Sequence, residues 1–297
     1  MMSEELKAEI GQRVRAARKR KGYTKEALCD DESHLSVRQL TRIETGKSLL
    51  SIDKGLFIAS RLGVSIQEFI EPDKMALPQS YMSLKRRIIQ FKSYEDPERL
   101  KQLDELISEL QSYYDLVPEE EQMAIEVLQA DLDVFVTHKT AFAEPLIEEY
   151  FEQVLLKKAY SWNDYLLISL YLFLCAVGIE DSRYFDYFIP SIFSEGDLSD
   201  PDIAYQMEEV VLAVLAQENV AYYPDCIDTL NRVIKVTKHY QNKPILEMFK
   251  AKLALFQGDI EQMESNYRTA FFIAESLDEP ILLERLKMEY DKDKRLV

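Results

Sequence analysis

Residues 36–46 decide the fold of the N-terminal region, and they read Ser-Val-Arg-Gln-Leu-Thr-Arg-Ile-Glu-Thr-Gly. Ser36 is a favoured helix N-cap, and Gly46 is a residue favoured just past a helix C-terminus. The stretch therefore predicts one short helix with both ends marked. Its apolar residues recur every three positions, which places them on one buried stripe. They are Val37, Leu40 and Ile43.

A second face of this helix carries the side chains that suit base reading, namely Arg38, Gln39 and Arg42. Arginine bonds bidentately to a guanine edge and glutamine to an adenine edge in the major groove. A short helix presented by a compact bundle fits that groove. Taken alone, such a face is more often only solvated surface. The neighbouring segments decide between the two interpretations.

The flanking segments predict a complete helix-turn-helix domain over residues 1–70. A basic amphipathic helix ends at Gly22, Thr24 caps a short second helix, and Ser51 and Ser65 cap a fourth and a fifth. The order of the first three helices is that of a helix-turn-helix. Ser36 at the start of the reading helix is included in the predicted DNA-binding set. Further basic residues are expected to contact phosphates: Arg13, Arg18, Lys25 and Lys47.

These segments resemble the phage-repressor type of helix-turn-helix domain over residues 10–70. The resemblance is carried by residues 22–24, 40–46 and 58–65. Two departures stand out. Lys25 replaces the glutamine that usually opens the second helix and touches a phosphate, and the turn before Ser36 is one residue longer and lacks its usual glycine.

Residues 28–30 and 37–40, followed by an all-helical remainder, resemble the Rgg branch of peptide-responsive regulators, and most closely its streptococcal competence regulators of the ComR type. The resemblance implies a quorum-sensing transcription regulator with two partners, double-stranded DNA and a short hydrophobic signalling peptide that is re-imported. It also implies activation of competence genes by a homodimer.

Beyond a predicted linker at residues 71–78, which contains Pro72 and Pro78, the helical pattern continues in pairs. The predicted pairs are 79–93 with 98–115, 119–138 with 142–158, 161–178 with 181–194, 201–218 with 222–240, and 244–257 with 260–277, closed by 279–290. Their spacing is looser than the ~34 residues of tetratricopeptide repeats. Residues 79–297 are therefore predicted to form a tetratricopeptide-like superhelix for peptide binding and dimerisation, with a plain helical bundle as the alternative.

In such a superhelix the first helix of each pair lines the concave face, so its polar and aromatic residues are candidate peptide contacts. The candidates are Lys85, Arg86, Tyr165, Tyr171, Gln206, Glu209 and Lys250. The closing helix is expected to expose an apolar face that takes part in the dimer. That face comprises Ile281, Leu282, Leu286 and Met288.

The charge is unevenly distributed along the chain. Residues 1–66 hold 13 Lys and Arg against 9 Asp and Glu, a net charge of +4, whereas the remainder holds 23 against 44, a net charge of −21. A polyanion is therefore expected to bind the N-terminal region only. The same contrast predicts that, without peptide, the basic reading face docks on acidic residues of the body. No stretch has the roughly 18 apolar residues of a membrane span, so no membrane partner and a cytoplasmic location are expected.

Enzymatic activity finds little support. The three histidines lie on separate elements, without the spacing of a metal site or a catalytic triad, and no glycine-rich phosphate loop is present. We expect no catalytic residues, metal or cofactor. Three hypotheses are compared: a peptide-sensing regulator, a peptide-independent repressor whose helical body only dimerises, and an enzyme fused to a DNA-binding domain. The first is favoured.

Overall fold

The computed structural model describes residues 4–70, 77–179, 181–193 and 198–297, which form fifteen α-helices and no strand. The predicted all-α class is confirmed. The chain divides into two compact units. The first comprises Met1–Ile88, Glu105–Thr137 and Ala141–Leu167, and the second comprises Ile89–Asp104, His138–Thr140 and Ile168–Val297.

The first four helices enclose one apolar core. They are α1 (Glu4–Arg20), α2 (Lys25–Cys29), α3 (Val37–Glu44) and α4 (Ile52–Leu62). Where the fifth helix was predicted, the chain makes a single turn of 3-10 helix, Ile66–Glu68, capped by Ser65. Leu40 and Ile43 of the predicted stripe are buried in this core, and Val37 packs against its edge.

Two glycines allow α1 to lie directly against α3 and the turn after it. A Cβ atom on Gly11 would stand 2.2 Å from the carbonyl oxygen of Ile43. Gly46 has a φ of +71°, and a Cβ there would stand 2.9 Å from the Cα of Ala8. Both positions therefore require glycine, and Gly46 ends the helix as predicted.

Eleven further α-helices follow in the described part of the chain. They are α5 (Gln79–Ile89), α6 (Pro97–Gln111), α7 (Glu119–Thr137), α8 (Glu144–Leu155), α9 (Trp162–Val177), α10 (Phe185–Phe193), α11 (Pro201–Leu215), α12 (Tyr223–Thr237), α13 (Lys243–Phe256), α14 (Ile260–Ser276) and α15 (Pro280–Lys294). Each helix predicted beyond residue 78 is present. Of the predicted linker, residues 71–76 lie outside the described residues. No helix in the described part has the length and apolarity needed to cross a bilayer.

The closing helix α15 is covered by its own unit, which corrects the expectation of an uncovered apolar face. Leu282 and Leu286 are buried against α14. Asp293 near its end is also buried, where it accepts hydrogen bonds from the Tyr267 hydroxyl and, at 3.2 Å, from Lys252 Nζ. Only Met288 of the predicted apolar set is half exposed.

Candidate nucleic-acid interface

The start of α3 is fixed by a reciprocal pair of hydrogen bonds between Ser36 and Gln39. Ser36 Oγ accepts from the Gln39 backbone N–H at 3.1 Å, and Gln39 Oε1 accepts from the Ser36 N–H at 3.1 Å. This capping box satisfies two backbone donors that the helix itself leaves unpaired. The Nε2 atom of Gln39 is left facing α8, and the residue is 7% exposed. Unlike Arg38, Gln39 is therefore not exposed to solvent, contrary to the prediction from the sequence.

Arg18 holds α1 against the end of α3. Its Nε and Nη2 donate to the Glu44 carboxylate at 2.6 and 2.9 Å, and its Nη1 donates to the Tyr23 carbonyl at 2.8 Å. The hydrogen bonds that Arg18 donates to Glu44 raise the pKa of the Arg18 guanidinium. Arg18 is buried in this contact, which favours a structural role over the predicted phosphate contact.

The other predicted phosphate contacts lie nearer the surface. Arg13 is exposed and pairs with Glu9 one turn earlier, and Lys47 is exposed just after Gly46. Lys25 Nζ donates to Thr41 Oγ1 on α3 at 2.8 Å. Arg13 and Lys47 therefore present charge to solvent beside α3, whereas Lys25 is tied to the helix.

The exposed face of α3 is covered by α8 within the same compact unit. Arg38 forms an ion pair with Glu149, and this hydrogen bond raises the pKa of the Arg38 guanidinium. Next to it, Gln39 Nε2 donates to Gln153 Oε1 at 3.0 Å. The candidate base-reading side chain of Arg38 is thus occupied by a carboxylate.

The first turn of α7 completes this cover with two more acidic residues. Arg42 Nε lies 3.4 Å from Glu119 Oε1, and Lys54 Nζ lies 2.9 Å from Glu120 Oε2. Burial acts to raise the pKa of Glu120, but the Lys54 ammonium and the hydrogen bonds from Ser51 and Lys54 outweigh it and lower the pKa. Glu120 therefore stays ionised, and its contribution to the cover is lost only as the pH falls below the ordinary value of 4.5.

Packing between α3–α4 and α7–α9 is incomplete. A cavity of about 890 Å³ lies among them. Its lining includes Phe57, on which His34 stacks at 5.2 Å between ring centroids, Tyr150 of α8, and Lys157 of the loop that follows α8. The contact between these helices is therefore interrupted by a cavity lined by both polar and apolar side chains.

The sequence predicted acidic docking in general terms but did not identify Glu119, Glu120, Glu149 or Gln153. The run of acidic residues after Pro118 marks a helix start, where carboxylates are favoured by the helix dipole. That signal gives no information about which basic residue each carboxylate contacts.

Three of the predicted peptide contacts are buried in cores. Lys85 is fully buried, with Nζ donating to Glu121 Oε2 at 2.6 Å and lying 4.3 Å from the centroid of the Trp162 ring. The Tyr171 hydroxyl donates to the Asp181 carbonyl at 3.0 Å, and Tyr165 is also buried. Apolar periodicity places a side chain on a face without showing how deeply it lies, and the assignment of these three residues as peptide contacts stays a prediction.

The remaining four candidates do not all lie in one unit. Arg86 is exposed on α5 in the first unit. In the second unit Lys250 pairs with Glu247 at 2.9 Å, Glu209 pairs with Lys92, and Gln206 is buried on α11. Gln206 and Glu209 therefore identify α11 as the helix of the second unit that carries most of the predicted polar contacts.

Comparison with known proteins agrees with this architecture. The family profile described as ComR tetratricopeptide matches residues 78–290, and a helix-turn-helix profile matches residues 14–69. No curated protein matches the chain.

Several solved structures match this chain over nearly the whole length of both proteins. The apo form of the competence regulator ComR from Streptococcus vestibularis is 31% identical, covers 97% of this chain and 99% of its own, and superposes with a TM-score of 0.82. ComR from Streptococcus suis is 32% identical, with coverages of 96% and 95% and a TM-score of 0.77. ComR from S. thermophilus in complex with DNA and its signalling peptide ComS is 30% identical, with coverages of 96% and 99% and a lower TM-score of 0.66. The chain therefore belongs to the ComR family of competence regulators.

Proposed function

We propose that the chain is a quorum-sensing transcription regulator that a short imported peptide switches, and that it activates competence genes as a DNA-bound homodimer. The observation that carries the proposal is the ion pair between Arg38, the candidate base reader, and Glu149. The S. thermophilus relative solved with DNA and a signalling peptide supports both partners.

The acidic residues of α7 and α8 that contact α3 and α4 form the cover of the reading helix. The strength of these contacts suits a switch. The ion pair of Arg38 with Glu149 is largely exposed, and such a pair contributes only ~0–1 kcal/mol, so it is a weak hold on the reading helix. A peptide that binds the uncovered form ~100-fold better supplies about 2.7 kcal/mol. That free energy is enough to release α3 for DNA.

The proposal assigns these roles to segments of the chain. Residues 1–70 bind DNA through α3, residues 71–78 form the linker, and residues 79–297 bind the peptide and the second protomer. Base contacts come from Arg38 and Arg42, because bidentate arginine contacts discriminate guanine. Arg13 and Lys47 supply phosphate contacts beside them.

A peptide-independent repressor whose helical body only dimerises is not favoured. A C-terminal domain that only dimerises does not need to contact the reading helix. In this structure Glu149, Gln153 and Glu119 all contact α3. The two functions differ in what loss of the cover does. Under the repressor hypothesis, removing Glu149 leaves DNA affinity unchanged.

The test compares Glu149→Gln with Glu148→Gln, an exposed neighbour on α8 that serves as the matched control. DNA is a duplex enriched by the Glu149→Gln protein from a random library, and affinity without peptide is measured by mobility shift. We expect up to ~5-fold tighter binding by Glu149→Gln, because its exposed pair with Arg38 holds ~0–1 kcal/mol, and more when Glu119→Gln is added. Light scattering should show two protomers in the complex. Equal affinities for the wild type and both single variants would contradict the proposal.

A further inference from the structure

Glu208 is a fully buried carboxylate at the centre of a polar network in the second unit. Its Oε2 accepts hydrogen bonds from Asn242 Nδ2 at 2.9 Å and contacts His239 Nδ1 at 2.9 Å. Lys92 Nζ lies 3.8 Å from the same oxygen and pairs with Glu209 on the next position of α11. The network thus links α11 to the loop between α12 and α13.

Two acceptors in this network lack a donor. Within the described residues, no group donates to Glu208 Oε1 or to Asn242 Oδ1, although both atoms are buried. Buried polar atoms in folded proteins nearly always have partners, and an acceptor without one is costly, most of all on a carboxylate. These two oxygens are therefore available to a donor on a bound group.

The charge of the network also favours a bound donor. Glu208 and Glu209 face one ammonium, that of Lys92, beside the imidazole of His239. Burial acts to lower the pKa of Lys92, but the two carboxylates outweigh it and raise the pKa. A donor that also carries positive charge would satisfy the free oxygens and balance the second carboxylate.

The network has one solvent-exposed member. The Glu209 side chain is 37% exposed, whereas Glu208 and Asn242 are buried and the ring of Tyr205 covers His239 edge-on at 5.3 Å between centroids. A ligand group entering beside Glu209 meets two carboxylates whose one ammonium partner is already engaged. Such a site favours a cationic donor over an acidic group.

We infer that Glu208, with Asn242 and Glu209, selects a signalling peptide that carries a cationic hydrogen-bond donor, either its free amino terminus or a lysine or arginine side chain. This inference rests on the proposed function and names the chemistry of its peptide. Occupation of the site would also brace α11 against the loop of Asn242, so binding and the packing of the second unit are coupled.

The test lets the full-length wild type select from a random octapeptide library with free amino termini. Each enriched peptide is then synthesised in three forms: unchanged, N-acetylated, and with its basic residue replaced by norleucine. Affinities are measured by calorimetry. We expect one of the two neutral forms to bind about 10-fold or more weakly, which identifies the source of the cation.

Two variants connect this loss to the site. Glu208→Gln should bind the charged and neutral forms equally, whereas Glu275→Gln, an exposed position on α14, should discriminate as the wild type does. Peptides that bind equally well when neutralised would overturn the inference and leave the proposed function standing. A selection that enriches no peptide at all would overturn both. The comparison of peptide forms on the wild type decides the matter even where Glu208→Gln fails to fold.

Discussion

Arg18 meets the Glu44 carboxylate through two nitrogens at the contact between α1 and α3. A buried pair of this kind adds little beyond a well-packed apolar contact, but removing one partner leaves an unpaired charge in the interior. Its role is therefore structural, since it fixes the angle at which α3 leaves the domain. Arg15 on the same helix is exposed and is not part of this buried contact.

We predict that Arg18→Ala lowers the free energy of unfolding by ~3 kcal/mol, because Glu44 is left buried without its partner. Arg15→Ala, the control, should change it by no more than ~0.5 kcal/mol. Urea denaturation of the full-length protein followed by circular dichroism measures both. A variant Arg18→Ala that keeps full stability but binds all DNA sequences more weakly would restore the phosphate role.

Other residues show why roles were harder to predict than positions. Gln39 and Arg38 are adjacent in sequence, yet Gln39 closes the capping box while Arg38 faces outward. Lys85 pairs with Glu121 at a separation of 36 residues. Neither outcome follows from periodicity, because each depends on a partner that only the folded chain brings near.

At the scale of an element, the first turn of α7 presents three consecutive glutamates to three different basic partners. Glu119 lies beside Arg42, Glu120 beside Lys54, and Glu121 beside Lys85. Successive residues on a helix point about 100° apart, so one turn contacts the reading helix, α4 and the core of the first unit at once. The first two contacts are part of the cover and the third is part of the fold.

We predict different effects for two adjacent substitutions in this turn. Glu121→Gln should lower stability by ~3 kcal/mol, since Lys85 stays buried without its carboxylate. Glu120→Gln should lower stability less than Glu121→Gln, because Lys54 is less buried than Lys85, and it should increase DNA binding without peptide. Trp162, the single tryptophan, lies over Lys85, so its fluorescence during urea unfolding reports on the first unit.

The DNA affinities of Glu120→Gln and Glu121→Gln without peptide are measured by mobility shift on the selected duplex. If Glu121→Gln proved as stable as Glu120→Gln, the separation of cover from core within this turn would be wrong.

The helices themselves were predictable because their signals are local. Ser36, Ser51 and Thr24 each cap the helix that the sequence assigned to them. The short fifth helix was the exception: the chain needs only one 3-10 turn after Ser65 to bury Phe69 and Ile70. Helix pairing along the body was predicted for the same local reason, while the contacts of α15 with α14 were not.

Over the whole molecule, the charge contrast makes salt act on two equilibria. Residues 1–66 carry +4 and the rest −21. Salt weakens DNA binding, because phosphate contacts release counterions. It also screens the ion pairs of the cover, which favours release of α3. In the covered protein the two effects oppose each other.

We therefore predict that the affinity of the peptide-free wild type for DNA falls less steeply with salt than that of Glu149→Gln. Fluorescence anisotropy titrations between about 50 and 200 mM salt give the slope of log K against log salt for each protein. Glu148→Gln should match the wild type. Identical slopes for all three would show that the cover is not electrostatic.

The ion pair between Arg42 and Glu119 is loosely made. The two charges stand 3.4 Å apart, Glu119 is only 2% exposed, and within the described residues neither Arg42 Nε nor the carboxylate oxygens make a hydrogen bond. A better-aligned pair at this place would deepen the resting state and raise the concentration of signal at which a cell population responds. Under the proposed function, the alignment of this one pair would be among the factors that determine the cell density at which the population responds.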